Sequence, residues 1–181
     1  MKHIYYHKIK VKTFSSATTG EIFWNKAYHK YVKPTVIPKL TDFCTELTGI
    51  TQATVENGVS IYEALSGLKW WMIENGFDIK NSVFMTCGDW DLKVCLPAEA
   101  AFKTFQIEPT LKRWVNVKTY FQSVTGKKPK GMSEMLKECG MEIQGRHHSG
   151  IDDAKNIARI VSWLQYNNGH VTSCLVNKNS N

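Results

Sequence analysis

No stretch of this sequence is apolar over the ~20 residues that a helix needs to cross a bilayer, and none is of low complexity or internally repeated. With 181 residues, 43% hydrophobic and 22% charged, it is neither a disordered tail nor a fibrous or solenoid protein. Its cysteines, Cys44, Cys87, Cys95, Cys139 and Cys174, are odd in number and form no C-x-x-C pair. A disulfide framework and a zinc module are therefore not expected, and the thiols read as reduced and mostly buried. There is no H-E-x-x-H and no G-x-S-x-G, and Phe121-Gln-Ser-Val-Thr-Gly-Lys127 lacks the first glycine of a P-loop. Zinc hydrolysis, nucleophile-elbow chemistry and P-loop chemistry fall away with them. The start, Met1 to Lys10, alternates with basic residues instead of building a signal-peptide core. The expectation is a domain without membrane contact, in the reducing cytoplasm or nucleus.

Acid is nearly missing from the first 40 residues, which hold eight lysines and only Glu21. The whole net charge of +7 sits there, and the remainder is balanced. A one-ended basic excess suits an anionic partner such as nucleic acid, and it equally suits lysine gatekeepers along a solvated strand edge.

Residues 3–13 and 20–32 read as two β-rich stretches around the turn Ser15-Ser-Ala-Thr-Thr-Gly20. A short helix is expected from Thr41, its cap, to Leu47, stopped by Gly49. A longer one follows Ser60, where Glu63 completes a capping box, Ile61, Leu65, Leu68 and Met72 share a face, and Gly76 closes the helix. Val83-Phe-Met-Thr-Cys87 has the continuous apolar character of a buried parallel strand, and Trp114-Val-Asn-Val-Lys118 is a weaker case of the same kind. Met132, Met135, Leu136 and Cys139 mark a helix ended by Gly140, and the last helix runs from about Asp152 to Gln165. Strands first, then alternating helix and strand, predict a three-layer α/β domain.

In open α/β sheets, sites form at the carboxyl ends of strands. The run Val83–Cys87 delivers the chain there, to Gly88-Asp-Trp-Asp91, with two carboxylates. Either Asp89 or Asp91 could instead cap the helix expected from near Leu92. A second constellation is Gly145-Arg-His-His-Ser-Gly-Ile-Asp-Asp153. At ~100° per residue, Asp153 shares a face with Ile157, Ile160 and Leu164, whereas Asp152 lies nearer Asn156 and Trp163. Asp153 is thus directed inward, where a carboxylate needs a cation or a donor, and Asp152 suits the helix start. The histidines alone would read as a polar loop. A strand-end Asp, an inward helix Asp and a loop His together suit a Mg²⁺ or Mn²⁺ site for phosphoryl transfer.

The segments Phe43-Cys-Thr-Glu-Leu-Thr-Gly-Ile50, Cys87-Gly-Asp-Trp-Asp-Leu92 and Gly145 to Asn156 closely resemble the DEDDh 3′→5′ exonucleases, from about residue 3 to residue 170. The nearest branch is the enhanced-RNAi / histone-mRNA exonuclease group, close to its prion-protein-interacting members. The resemblance implies a ribonuclease-H-like α/β fold with a mixed five-stranded sheet flanked by helices. It also implies two-metal removal of nucleotides from RNA 3′ ends, with Mg²⁺ or Mn²⁺ as the ions. Asp91 and Asp153 match metal ligands, His148 the general base (with His147 a bystander), and Leu47, Thr48, Gly49 and Ile50 the edge that packs against the terminal nucleotide. Single-stranded RNA 3′ ends are the implied partner, with DNA as the alternative.

The family opens with a D-x-E motif on its first, central strand, and this chain has no D-x-E before residue 40. Residues 1–170 are accordingly expected to form an exonuclease domain lacking its first motif and strand, followed by a tail at 171–181. One explanation is a truncated exonuclease. The others are a non-catalytic descendant that binds RNA or a protein through the old cleft, and a plain scaffold.

Overall fold

Thr41, Thr51 and Ser60 start three successive helices by one device, each hydroxyl accepting the backbone N–H three residues on, at 3.2 Å in every case. The helices are α1 (Asp42–Thr48), α2 (Gln52–Glu56) and α3 (Ile61–Glu74). Ser60 also donates its own backbone N–H to Glu63 at 2.7 Å, completing the expected capping box. Gly49, at φ 70°, closes α1 as expected, donating to the Thr45 carbonyl at 2.8 Å. Helix α2 was not expected, because five residues are too few to show a period.

The computed structural model describes residues 8–14, 22–77, 82–167 and 175–177. They fall into two compact units, the first within 1–13, 23–79 and 144–155, the second within 14–22, 80–143 and 156–181. The expected turn at 15–20 and Cys174 lie outside the described residues.

In the first unit, β1 (Lys8–Phe14) and β2 (Ile22–Tyr31) form a two-stranded sheet, and Val32 makes an isolated parallel bridge to Val59. Tyr28, Val32, Ile50, Val55, Ile61, Ala64, Leu68 and Met72 are its buried apolar residues. Three of the four residues expected on the inner face of α3 are buried; Leu65 is half-buried, and Ala64 takes its place. Tyr28 donates its hydroxyl to the Ala64 carbonyl at 2.7 Å, and Gly67 makes room, since a Cβ there would lie 2.6 Å from that hydroxyl.

In the second unit, β3 (Phe84–Thr86) pairs in parallel with β4 (Arg113–Asn116), and β5 (Leu175–Asn177) pairs antiparallel on the far side of β4. The sheet is mixed, as expected. Residues 175–177 are a strand rather than part of a tail, because the second edge of β4 is open to pairing. The expected strand at Trp114–Lys118 ends early, since Asn116 caps α5 (Val117–Thr125) by accepting the Lys118 N–H at 3.1 Å. The five strands divide between two sheets rather than forming one, and among the described residues no ladder joins β2 to β3. β3 is half-buried throughout rather than buried because it lies at the edge of its sheet.

Beyond β3 come a π-helical turn (Asp91–Cys95), α4 (Leu96–Phe102), a 3₁₀ turn (Pro109–Lys112), α5, α6 (Met132–Glu138) and α7 (Gly150–Tyr166). Residues Val115, Val117, Tyr120, Phe121, Met135, Leu136, Ile160, Val161 and Leu164 form one core between β4, α5, α6 and α7. Each large side chain fully buried there contributes roughly 1.5–3 kcal/mol.

Candidate active site

Gly88, at φ 112°, turns the chain at the carboxyl end of β3. Its N–H donates to Asn116 Oδ1 at 3.0 Å. Both oxygens of Asp89 are engaged from β4: Oδ1 accepts from Trp114 Nε1 at 2.8 Å and Oδ2 from Asn116 Nδ2 at 3.3 Å. The alternative in which the Asp89 side chain caps the next helix is therefore not realised, because the neighbouring strand has taken its carboxylate. Only its backbone carbonyl serves that helix, accepting the Lys93 N–H at 2.8 Å. Asp91 opens the π-helical turn, a geometry often found at functional sites. Asp91 is exposed as a residue, yet protein packed around its carboxyl group dehydrates it and raises its pKa.

In the first unit, the first turn of α7 organises the histidine loop. Asp152 Oδ2 accepts the Arg146 N–H, and Asp153 Oδ1 accepts the His148 N–H, each at 3.2 Å. Ser149 donates to the Arg146 carbonyl at 3.0 Å, which closes the loop on itself. Gly145 is required twice over: its φ is 76°, and a Cβ there would lie 2.5 Å from Asp152 Cγ. His148 adopts φ 66° with a side chain present, a strained conformation for a non-glycine residue. The rings of His147 and His148 stack with centroids 3.9 Å apart and planes 18° from parallel, and both residues are exposed. Burial raises the pKa of Asp153, opposed by the charge of His147 and by the His148 N–H. Asp152 and Asp153 are both half-buried, so the two acids differ less than their helix faces suggest, each being tied to its own loop N–H.

The segment Leu47–Ile50 ends α1. Leu47 is 37% exposed, Thr48 half-buried and Gly49 exposed, whereas Ile50 is buried at 3%. Ile50 thus supports the edge from beneath. Arg146 Nη2 donates to the Glu46 carbonyl, so one turn of the histidine loop is bonded to this edge. The first unit therefore brings together His148, Asp153 and the Leu47–Gly49 edge, and Asp91 belongs to the second unit. Among the described residues, no three His, Cys, Asp or Glu side chains come together in a group able to hold a metal ion. Likewise, no described helix is long and apolar enough to cross a membrane. The Arg146 bond and the Trp114–Asp89–Asn116 network were not foreseen; an Asn closing the apolar run Trp114-Val-Asn116 is the one sequence signal that pointed to the latter.

Residues 17–161 match the RNase_T exonuclease family model. The chain belongs to the DEDDh 3′–5′ exonuclease family. It is 44% identical over 142 residues to the ERI1 exoribonuclease 3 of Homo sapiens, covering 77% of this chain and 42% of that protein. Among solved structures it is similar to the nuclease domain of 3′hExo, a DEDDh family member bound to rAMP, with 27% identity and a TM-score of 0.79, covering 92% of this chain and 96% of that one. A second, a 3′-exonuclease described in 3′-end-specific recognition of the histone mRNA stem-loop, has 26% identity and a TM-score of 0.77, covering 90% and 83%. The fold is ribonuclease-H-like. The chain spans less than half the length of the ERI1 exoribonucleases 2 and 3 that it matches.

Proposed function

We propose that this chain carries the second and third motifs of a 3′–5′ exoribonuclease that removes nucleotides from single-stranded RNA 3′ ends. The observation that carries the reading is the bond from the His148 N–H to Asp153 in the first turn of α7. It holds an exposed imidazole beside a half-buried carboxylate whose pKa is raised. His148 is the group that takes a proton from the attacking water, and its backbone bond to Asp153 fixes where the ring emerges. Leu47 and Gly49 present the exposed edge to the terminal nucleotide, with Ile50 packed behind them.

The family works with divalent ions, and we assign Mg²⁺ or Mn²⁺ as the pair. Asp91 and Asp153 are hard oxygen donors suited to such ions. They are two carboxylates where the family uses four, however, and among the described residues no group of three candidate ligands forms. The residues present do not make a complete ion site. For the 181-residue chain by itself, this favours a second reading: it binds RNA and trims it little.

A binding and release assay separates the two readings. The chain is expected to bind a 5′-labelled single-stranded RNA with a free 3′ hydroxyl and to release little nucleotide in Mg²⁺, whereas a form that also contains a D-x-E strand should trim it. Absence of RNA binding by both forms would overturn the proposal. Rapid trimming by the 181-residue chain would overturn the second reading and mean that another acid completes the site.

A further inference from the structure

Three carbonyls at the end of α1 accept from three different kinds of donor. Thr48 Oγ1 donates to the Cys44 carbonyl at 2.7 Å, and the Gly49 N–H to the Thr45 carbonyl at 2.8 Å. The Glu46 carbonyl accepts from Arg146 Nη2, one hundred residues away in sequence. Helix α1 has no basic residue in its own last turn, so Arg146 supplies the cation that a helix C-terminus favours. The fit is close: a Cβ on Gly49 would lie 2.9 Å from Arg146 Nη1 and 3.1 Å from Cζ, so the guanidinium lies over a glycine that also has φ 70°. The other end of Arg146 is equally fixed. Its backbone N–H donates to Asp152, and its carbonyl accepts from Ser149.

We propose that Arg146 is a positioning residue that locks the histidine loop to the C-terminal end of α1, so that the His148 ring and the Leu47–Gly49 edge meet an RNA 3′ end at one fixed spacing. The proposal rests on the exoribonuclease reading for its purpose, but the lock itself does not. A planar fork suits the place, because it caps a carbonyl with one nitrogen and lies flat over Gly49 with the other. Neither Arg146 nor Glu46 is asked to touch the reacting atoms. What α1 gains is fixity: it buries none of its own residues, so its placement depends on caps and on this bond.

The test pairs amide hydrogen exchange with RNA binding in the 181-residue chain and its Arg146→Ala and Arg146→Lys variants. In Arg146→Ala, exchange over residues 42–50 should become about tenfold faster, the size expected for one lost charge-assisted hydrogen bond, while exchange over α5 and α6 stays unchanged. Affinity for a short single-stranded oligoribonucleotide with a free 3′ hydroxyl should fall in parallel. Arg146→Lys, which keeps a donor for Glu46, should restore much of both. Unchanged exchange over 42–50 overturns the lock. Faster exchange with undiminished RNA affinity overturns the positioning role and leaves Arg146 merely structural. If Arg146→Ala fails to fold, Arg146→Met, which keeps the bulk of the side chain but has no donor for Glu46, decides in its place, and an effect on neither readout overturns the proposal. If the unaltered chain binds no RNA, the exoribonuclease reading falls, and the exchange measurement still judges the lock.

Discussion

The backbone N–H of His148 donates to Asp153 Oδ1 at 3.2 Å, and this bond holds a histidine in the left-handed region at φ 66°. A non-glycine residue there costs of order 1 kcal/mol, which the loop offsets with bonds from Arg146 to Asp152 and from Ser149 to Arg146. The two acids of the Asp152-Asp153 pair thus have separate structural tasks within one turn of helix.

Asp153→Asn tests what the charge of that carboxylate costs. Burial raises the pKa of Asp153, so the folded chain holds this proton better than the unfolded chain does. Ionisation at neutral pH therefore opposes folding, and stability from this group increases as pH falls toward the raised value. An asparagine Oδ1 still accepts the His148 N–H. Thermal unfolding at pH 7 in a chelator should show the variant at least as stable as the parent, and a clear loss would mean that the carboxylate's bonds outweigh its dehydration. In any active form, the same substitution should abolish nucleotide release.

Gly145→Ala and Gly49→Ala should differ in a telling way. Both positions have φ above 70° or at it, so each substitution pays about 1 kcal/mol for backbone strain. At Gly145 the new Cβ also meets Asp152 Cγ at 2.5 Å, close to the helix backbone and unable to move far. At Gly49 it meets the far end of the Arg146 side chain at 2.9 Å, which can shift aside at the expense of its bond to the Glu46 carbonyl. Denaturant unfolding should show the Gly145 variant losing roughly 2–3 kcal/mol and the Gly49 variant about half of that. Equal losses would mean that strain alone decides both.

Much of this arrangement was legible in the residues themselves. Hydroxyl caps at Thr41 and Ser60, and the methionine face of α6, follow local rules, and the structure places them as expected. Helical phase set Asp153 apart from Asp152, whereas the structure leaves both half-buried, each bonded to its own loop N–H. Long-range relationships were not legible: no local pattern says that Arg146 reaches Glu46 or that Trp114 reaches Asp89, because each depends on how elements far apart in sequence pack. The half-burial of β3 was missed for a related reason. An apolar run reports what a strand can be buried against, and β3 lies at the edge of its sheet.

Asp89→Asn probes the network under the strand end. The carboxylate accepts from Trp114 Nε1 and Asn116 Nδ2 with its two oxygens. An amide can keep one of these bonds, but its NH₂ then faces a second donor. The half-buried site should lose about 1–3 kcal/mol in denaturant unfolding, and the Trp114 fluorescence should change with it. Asp89→Ala leaves both donors without an acceptor and should cost at least as much. A neutral outcome for both would mean that water replaces the carboxylate freely.

Cys139 gives an alkaline signature in the second unit. Burial, with Glu138 beside it as the lesser cause, pushes the thiol pKa up from 9.0 to about 11. The folded chain therefore keeps this proton where the unfolded chain has released it, and stability is complete below about 9 and lost as pH rises from about 9 to about 11. The sulphur is only half-buried, so solvent screening limits the loss to at most about 1–2 kcal/mol. Iodoacetamide at pH 9 should label Cys139 several-fold more slowly in the folded chain than in urea. Glu138→Gln should speed that labelling modestly, because it removes the smaller of the two causes and leaves the burial. If Glu138→Gln abolished the protection altogether, the charge and not the dehydration would be holding the proton on the thiol.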